Sequence, residues 1–115
     1  MKLSELCQKV GLRPSGHPEI REKEVKGCYI GDLLSNVMAH AQSGDLWLTV
    51  QTHSNVVAVA VLLNLAGIVF VEGRQPDQET LVRAQAEGIN LFCWSDSAYQ
   101  LARSLAAAGI GSEPS

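Results

Sequence analysis

The amino-acid sequence predicts an α/β domain, a three-layer sandwich in which a mainly parallel sheet of about four strands is flanked by helices. From residue 24 onward, short apolar runs rich in β-branched and aromatic residues alternate with helical patterns. Strands that alternate with helices are joined by crossovers, which are typical of parallel sheets. The length of 115 residues suits a single hydrophobic core.

Four strands and four helices follow from these patterns, and we expect residues 24–111 to form the α/β domain. The strands are predicted at residues 25–30, 46–51, 68–71 and 89–94. The helices are predicted at residues 32–42, 55–66, 77–87 and 97–108, with Gly44, Gly67, Gly88 and Gly109 placed to end them. The sequence leaves the order of the strands within the sheet open.

Residues 1–23 are predicted to be an N-terminal helix and an exposed connection. An apolar stripe at helical spacing predicts a short amphipathic helix over residues 1–11, with Gly11 as its stop. Residues 12–23 contain two prolines and a glycine among charged residues, so we expect a mobile connection with little regular structure. At the other end of the chain, residues 112–115 are expected to be a disordered tail.

The helix predicted over residues 55–66, from Asn55 to Ala66, has almost no polar face, because Val, Leu and Ala occupy nearly every position. A helix that is apolar all round is buried all round. In a domain of this size one side meets the sheet, and the other is covered by a neighbouring helix or by another subunit. We therefore expect a homodimer through this helix, with coverage by a neighbouring helix as the alternative.

The composition excludes several classes of protein. Apolar residues make up 46% and charged residues 18%, which is too apolar for a disordered chain. The net charge of −3 gives no positive surface for nucleic acids or acidic membranes, so we expect neither partner. Cys7, Cys28 and Cys93 have no spacing that suggests disulfides, and the N-terminus lacks the pattern of a signal peptide. These features favour a cytoplasmic location.

Motifs for catalysis and for cofactors are missing from the sequence. It contains no phosphate-binding loop and no dinucleotide glycine fingerprint. His17, His40 and His53 have no His or Cys at the spacing of metal ligands. Cys93 lies within an apolar run and fits a small buried side chain better than a nucleophile. We therefore expect no cofactor, no metal and no catalytic residue, and a protein that is not an enzyme.

A polar segment follows the second predicted strand. Thr52, His53, Ser54 and Asn55 place hydroxyl, imidazole and amide groups at the start of a helix. Ligands of open α/β sheets bind beyond the carboxyl ends of the strands, and unpaired amides in the first turn of a helix favour an anion. Arg74 follows the next strand and would add a positive charge at the edge of such a site. We predict these five residues as ligand-binding residues, with plain helix capping and a surface ion pair of Arg74 as the alternatives.

Residues 27–110 resemble a DRTGG domain through several short motifs. The motifs are Val25-Lys26-Gly27, Ile30-Gly31-Asp32-Leu33-Leu34, Gly44, Thr49, Gly73 with Pro76, and Asp96-Ser97-Ala98-Tyr99. Residues 52–55 and 71–73 stand roughly where the family carries the Asp-Arg and Thr-Gly-Gly parts of its name. The chain therefore resembles a stand-alone form in which His53 and Asn55 replace the usual charged pair.

The resemblance implies a three-layer α/β module without chemistry of its own. The family is similar to the N-terminal domain of HPr kinase/phosphorylase and accompanies the catalytic domains of some phosphate acetyltransferases and nucleotide-regulated pyrophosphatases. We therefore expect a non-catalytic regulatory or scaffold domain that self-associates and senses a small anionic ligand. Two alternatives stay open, a binding protein for a nucleotide or phosphate and a small enzyme that uses His53 as a general base.

Overall fold

The structure is a computed structural model that describes residues 1–17 and 19–111, in which five strands and five helices are found. The tail predicted over residues 112–115 lies outside the described residues. The strands are β1 (Arg13–Pro14), β2 (Gly27–Ile30), β3 (Asp45–Thr49), β4 (Gly67–Phe70) and β5 (Leu91–Cys93). The helices are α1 (Leu3–Val10), α2 (Leu34–His40), α3 (Asn55–Leu63), α4 (Gln78–Glu87) and α5 (Ala98–Ala107).

One sheet contains all five strands in the order β1-β5-β4-β3-β2. The strands from β2 to β5 run parallel and lie side by side in sequence order, whereas β1 pairs with β5 in the antiparallel direction. Each of the helices α2, α3 and α4 therefore joins two neighbouring parallel strands. Since such crossovers share one hand, all three helices pack on the same face of the sheet.

Two apolar cores lie between the sheet and the helices. Trp47, Ile68 and Phe70 belong to the core beneath α2, α3 and α4. Leu46 and Leu48 belong to the core on the opposite face, which α1 and α5 cover. Successive strand residues alternate between the two cores, as expected for strands that are buried on both faces. The predicted three-layer α/β sandwich with a mainly parallel sheet is therefore confirmed.

The N-terminal segment has more regular structure than the sequence predicts. Arg13–Pro14 form β1, a fifth strand that was not predicted, and pair with β5. The side chain of Asn90 holds both backbone groups of Arg21, at 2.8 and 2.9 Å. Apart from β1, residues 12–17 and 19–23 contain no helix or strand, in agreement with the expectation of little regular structure. The partners of Arg13, Pro14 and Arg21 lie near the other end of the chain. The division of the chain between residues 23 and 24 stays a prediction.

The helices α3 and α4, each of which joins two parallel strands, end in different ways. α4 ends at Gly88, which takes the left-handed conformation with a φ of 75°, as predicted. α3 ends at Asn64, with a φ of 54°, three residues before the predicted stop at Gly67. Asn is among the residues that tolerate this conformation best, and Gly67 instead begins β4.

The apolar helix α3 is not buried all round. Its inner side, with Val57 and Ala60, is fully buried, but Val61 is 44% exposed and Leu62 is 67% exposed. The prediction of burial on every side is therefore wrong for the single chain, since α2 and α4 flank α3 without covering its outer side. Neither α3 nor any other helix within the described residues is long and apolar enough to cross a membrane.

Candidate functional site

The carboxyl ends of the four parallel strands lie along one edge of the sheet, the edge at which the sequence predicts a ligand. Four loops follow these strands, at residues 31–33, 50–54, 71–77 and 94–97. The strand order runs from β2 to β5 without a reversal. The crevice that opens in other α/β sheets where the order reverses is therefore not formed, and each loop has to be considered by itself.

The predicted site residues lie in two neighbouring loops of this edge. Thr52, His53 and Ser54 belong to the loop between β3 and α3, and Asn55 is the first residue of α3. His53 and Asn55 are exposed, whereas Ser54 is buried. Arg74 is exposed in the loop between β4 and α4, and no hydrogen bond or ion pair joins its side chain to any described residue. Four of the five residues are thus consecutive in one segment, and Arg74 lies in the loop that follows the neighbouring strand β4.

The amides in the first turn of α3 already have partners. The backbone N–H of Asn55 donates to Nδ1 of His53 at 3.3 Å. The N–H groups of Val56 and Val57 donate to the carbonyl oxygens of His53 and Ser54, both at 3.1 Å. The expectation of unpaired amides is therefore wrong. Because Nδ1 of His53 accepts a hydrogen bond, this arrangement requires the neutral ring with its proton on Nε2.

Helix capping by Ser54 does not occur either. Ser54 stands at the N-cap position in a helical conformation and makes no capping hydrogen bond through its side chain. Its hydroxyl instead lies 3.4 Å from Oε1 of Glu79. Side-chain caps are formed on the two following helices, where Asp77 accepts from the Thr80 amide and Ser97 caps α5. Ser54 therefore does not cap α3 with its side chain, whereas Asp77 caps α4 and Ser97 caps α5.

Carboxylates flank the loop at residues 50–54. Asp32 accepts hydrogen bonds from the end of β3 and the start of this loop, at 2.8 and 2.9 Å. Hydrogen bonds from the side chain and the backbone of Thr80 lower the pKa of Asp77. Asp77 is therefore ionised at neutral pH. An anion bound beside this loop meets negative charge from both sides.

A second place on the same edge was missed by the sequence analysis. An open cleft at the end of β5 is lined by Gly11, Arg13, Gly73, Gln75, Cys93, Trp94 and Ser95. Within it, the Sγ atom of Cys93 lies 3.4 Å from Oε1 of Gln75. The sequence carries no signal for this grouping, because Arg13 reaches the cleft only through the pairing of β1 with β5.

The remaining candidates for metal binding and nucleophilic chemistry are the acidic, histidine and cysteine side chains. In residues 1–17 and 19–111, no group of three or more His, Cys, Asp or Glu side chains is arranged to hold a metal ion. Cys7, Cys28 and Cys93 are free thiols. Burial, assisted by Glu22, raises the pKa of Cys7 to about 11. Burial, assisted by Asp45, raises the pKa of Cys28 to about 12, so that both thiols are protonated at neutral pH.

Comparison with known proteins identifies a similar fold. No family model matches the sequence, and no curated protein matches it. A solved structure of the CBS and DRTGG domains from the regulatory region of a Clostridium perfringens pyrophosphatase, complexed with the activator diadenosine tetraphosphate, is similar with a TM-score of 0.60 and 11% sequence identity. The similarity covers 90% of this chain and 45% of that chain, so this chain spans less than half of its length. The expected resemblance is thereby confirmed at the level of the fold, which is DRTGG-like.

Proposed function

We propose that this chain is a non-catalytic regulatory or scaffold domain that forms a homodimer and senses a small anionic ligand. The observation that carries the proposal is the uncovered apolar side of α3. The similar pyrophosphatase structure belongs to a regulatory region and contains a nucleotide activator, which supports a regulatory role for the same fold here. Free cysteines fit the cytoplasmic location that we propose with it.

The proposed dimer surface is the outer side of the layer formed by α2, α3 and α4. Val61 and Leu62 lie at its centre on α3, which contacts both neighbouring helices. Met38 on α2 is 47% exposed and Val82 on α4 is 59% exposed. Apolar side chains exposed on adjacent elements are typical of a protein interface. In a dimer with a two-fold axis, each of these side chains would be buried in both copies of the chain.

Replacing Leu62 tests this surface. Burying an exposed leucine contributes about 1.5 to 3 kcal/mol, and a charge at the same position has to be desolvated. We therefore expect Leu62→Glu to shift the protein from dimer to monomer in analytical ultracentrifugation at high micromolar concentration. Tyr99→Glu, at a 69% exposed position on α5 in the opposite layer, is the matched control and should stay dimeric. A monomeric unmodified protein would contradict the proposed dimer.

The ligand is proposed to bind at the carboxyl edge, with Thr52, His53, Ser54, Asn55 and Arg74 as its contacts. Because the first-turn amides of α3 are occupied, the side chains have to supply the interactions. His53 and Arg74 are exposed, and the imidazole of the first and the guanidinium of the second can donate hydrogen bonds to an anion. The proposal for this loop thus depends on two side chains and no longer on the helix terminus.

Thermal unfolding with inorganic phosphate or diadenosine tetraphosphate tests the ligand-sensing role. A ligand that binds only the folded state raises the Tm. The double replacement of His53→Ala with Asn55→Ala, and separately Arg74→Gln, should reduce that rise while circular dichroism shows an intact fold. Arg83→Gln, on the exposed side of α4, serves as the control. An unchanged rise in both test variants would exclude these residues as contacts.

A further inference from the structure

The indole N–H of Trp94 is buried without a hydrogen-bond partner among the described residues. The other tryptophan, Trp47, donates its indole N–H to the carbonyl oxygen of Gly31 at 2.8 Å. Buried polar groups nearly always have a partner, and an exception calls for a bound water, ion or ligand. The donor of Trp94 thus has no acceptor within residues 1–17 and 19–111, and it is free to bind an acceptor from outside this part of the chain.

Trp94 lines the cleft at the end of β5. Gly11 and Gly73 stand on the walls of this cleft, and a Cβ atom added to either would have no atom within 4 Å. Backbone hydrogen bonds tie the two loops of one wall together, from Glu72 to Asp96 at 2.8 Å and from Gly73 to Trp94 at 3.0 Å. The cleft is therefore open to a small molecule, and its wall is fixed by the backbone.

Arg13 brings a positive charge to this cleft. Its side chain is exposed, and within the described part of the chain no carboxylate is paired with it. Oε1 of Gln75 lies beside Cys93, which leaves the amide NH₂ of Gln75 as a further donor. Glu72 and Asp96 are exposed in the neighbouring loops and add negative charge nearby. A ligand must therefore be held by direct contacts, since the overall field does not favour an anion.

We propose that this cleft binds an oxyanion, a carboxylate or phosphate group, through the guanidinium of Arg13 and the indole N–H of Trp94. A guanidinium and an indole are donors without acceptor capacity, which suits oxygen atoms that carry negative charge. The inference rests on the ligand-sensing part of the proposed function. It assigns the ligand to residues on β1 and after β5 instead of the loop before α3.

Two-dimensional ¹H–¹⁵N NMR of the two indole N–H groups tests the inference. Trp94→Phe assigns the signals, because it removes one of them. Addition of inorganic phosphate, or of acetate in a separate titration, should shift the Trp94 signal and leave that of Trp47 in place, and the probe that acts identifies the group. Arg13→Gln should weaken this binding about tenfold, the effect of losing one charge-assisted hydrogen bond. Arg103→Gln, whose side chain lies over the Tyr99 ring on α5, is the control.

The possible outcomes separate this inference from the proposed function. A Trp94 signal that moves with neither probe, or an affinity unchanged by Arg13→Gln, overturns the inference. If the binding survives Arg13→Gln but is lost in the double variant of His53 and Asn55, the inference fails and the proposed function stands. If no probe binds by NMR or raises the Tm, both the inference and the ligand-sensing part of the proposed function fail.

Discussion

The side chain of Asn90 joins the N-terminal segment to the sheet, and its replacement measures how much this connection contributes to the free energy of unfolding. The side chain is 7% exposed. Its Oδ1 accepts from the Arg21 amide at 2.8 Å, and its Nδ2 donates to the carbonyl oxygens of Arg21 and Ala66 at 2.9 and 3.0 Å. Asn90→Ala removes all three hydrogen bonds at once.

We expect Asn90→Ala to lower the free energy of unfolding by about 2 to 4 kcal/mol. Ala66 is buried, so a carbonyl oxygen that loses its donor there costs roughly 1 to 3 kcal/mol. The two backbone groups of Arg21 are partly buried and regain water, so each loss costs roughly 0.5 kcal/mol. The expected effect is therefore a large part of the stability of a small domain.

Urea denaturation followed by circular dichroism measures this change. Asn36→Ala, at an exposed position on α2, removes the same amide group without a side-chain hydrogen bond to a described residue and should be neutral or slightly stabilising. Hydrogen exchange of the Arg21 amide should become faster in Asn90→Ala only. A loss of less than about 0.5 kcal/mol, the range of ordinary surface substitutions, would refute the reasoning.

Three further predictions concern the carboxyl edge and the thiols. Thr80→Val should lower the free energy of unfolding by about 1 to 2 kcal/mol in urea denaturation, because the buried Thr80 hydroxyl lies 2.8 Å from the Thr52 carbonyl oxygen. Thr52→Val is the control, and equal losses of stability in the two variants would contradict the prediction. Glu72→Gly should raise the Tm by a few degrees, since Glu72 has a φ of 60°; a lower Tm would argue against strain at this position. At mildly alkaline pH, iodoacetamide should label Cys93 before Cys7 and Cys28, because burial raises the pKa of Cys7 to about 11 and that of Cys28 to about 12. Equal labelling of the three cysteines, measured by mass spectrometry, would count against this prediction.

The fold class was predictable because the signal for each parallel strand is local. β3 is buried at every position, and its predicted range of residues 46–51 overlaps the observed Asp45–Thr49. β1 gives no such signal, since it has two residues, one of them Pro14, and depends on a partner near the other end of the chain. The exposure of the outer side of α3 was not predictable either, because composition shows that a helix is apolar but not which neighbours cover it.

The candidate site was predictable only as an edge of the sheet. Polar residues at strand ends indicated the carboxyl side, and the structure places Thr52–Asn55 there. The occupation of the first-turn amides depends on the position of the His53 ring, which residue types do not determine. The cleft with Arg13 and Trp94 combines residues from both ends of the chain. Sequence order alone does not bring such residues together.

The order of the strands has a consequence for how the chain folds. Each strand from β3 to β5 is added beside the one that precedes it, so these contacts form between segments that are near in sequence. The N-terminal segment differs, because β1 pairs with β5 and α1 packs against α5. Closing so long a loop is unfavourable until the distant partner has formed. We therefore expect the N-terminal segment to dock after the parallel strands have paired.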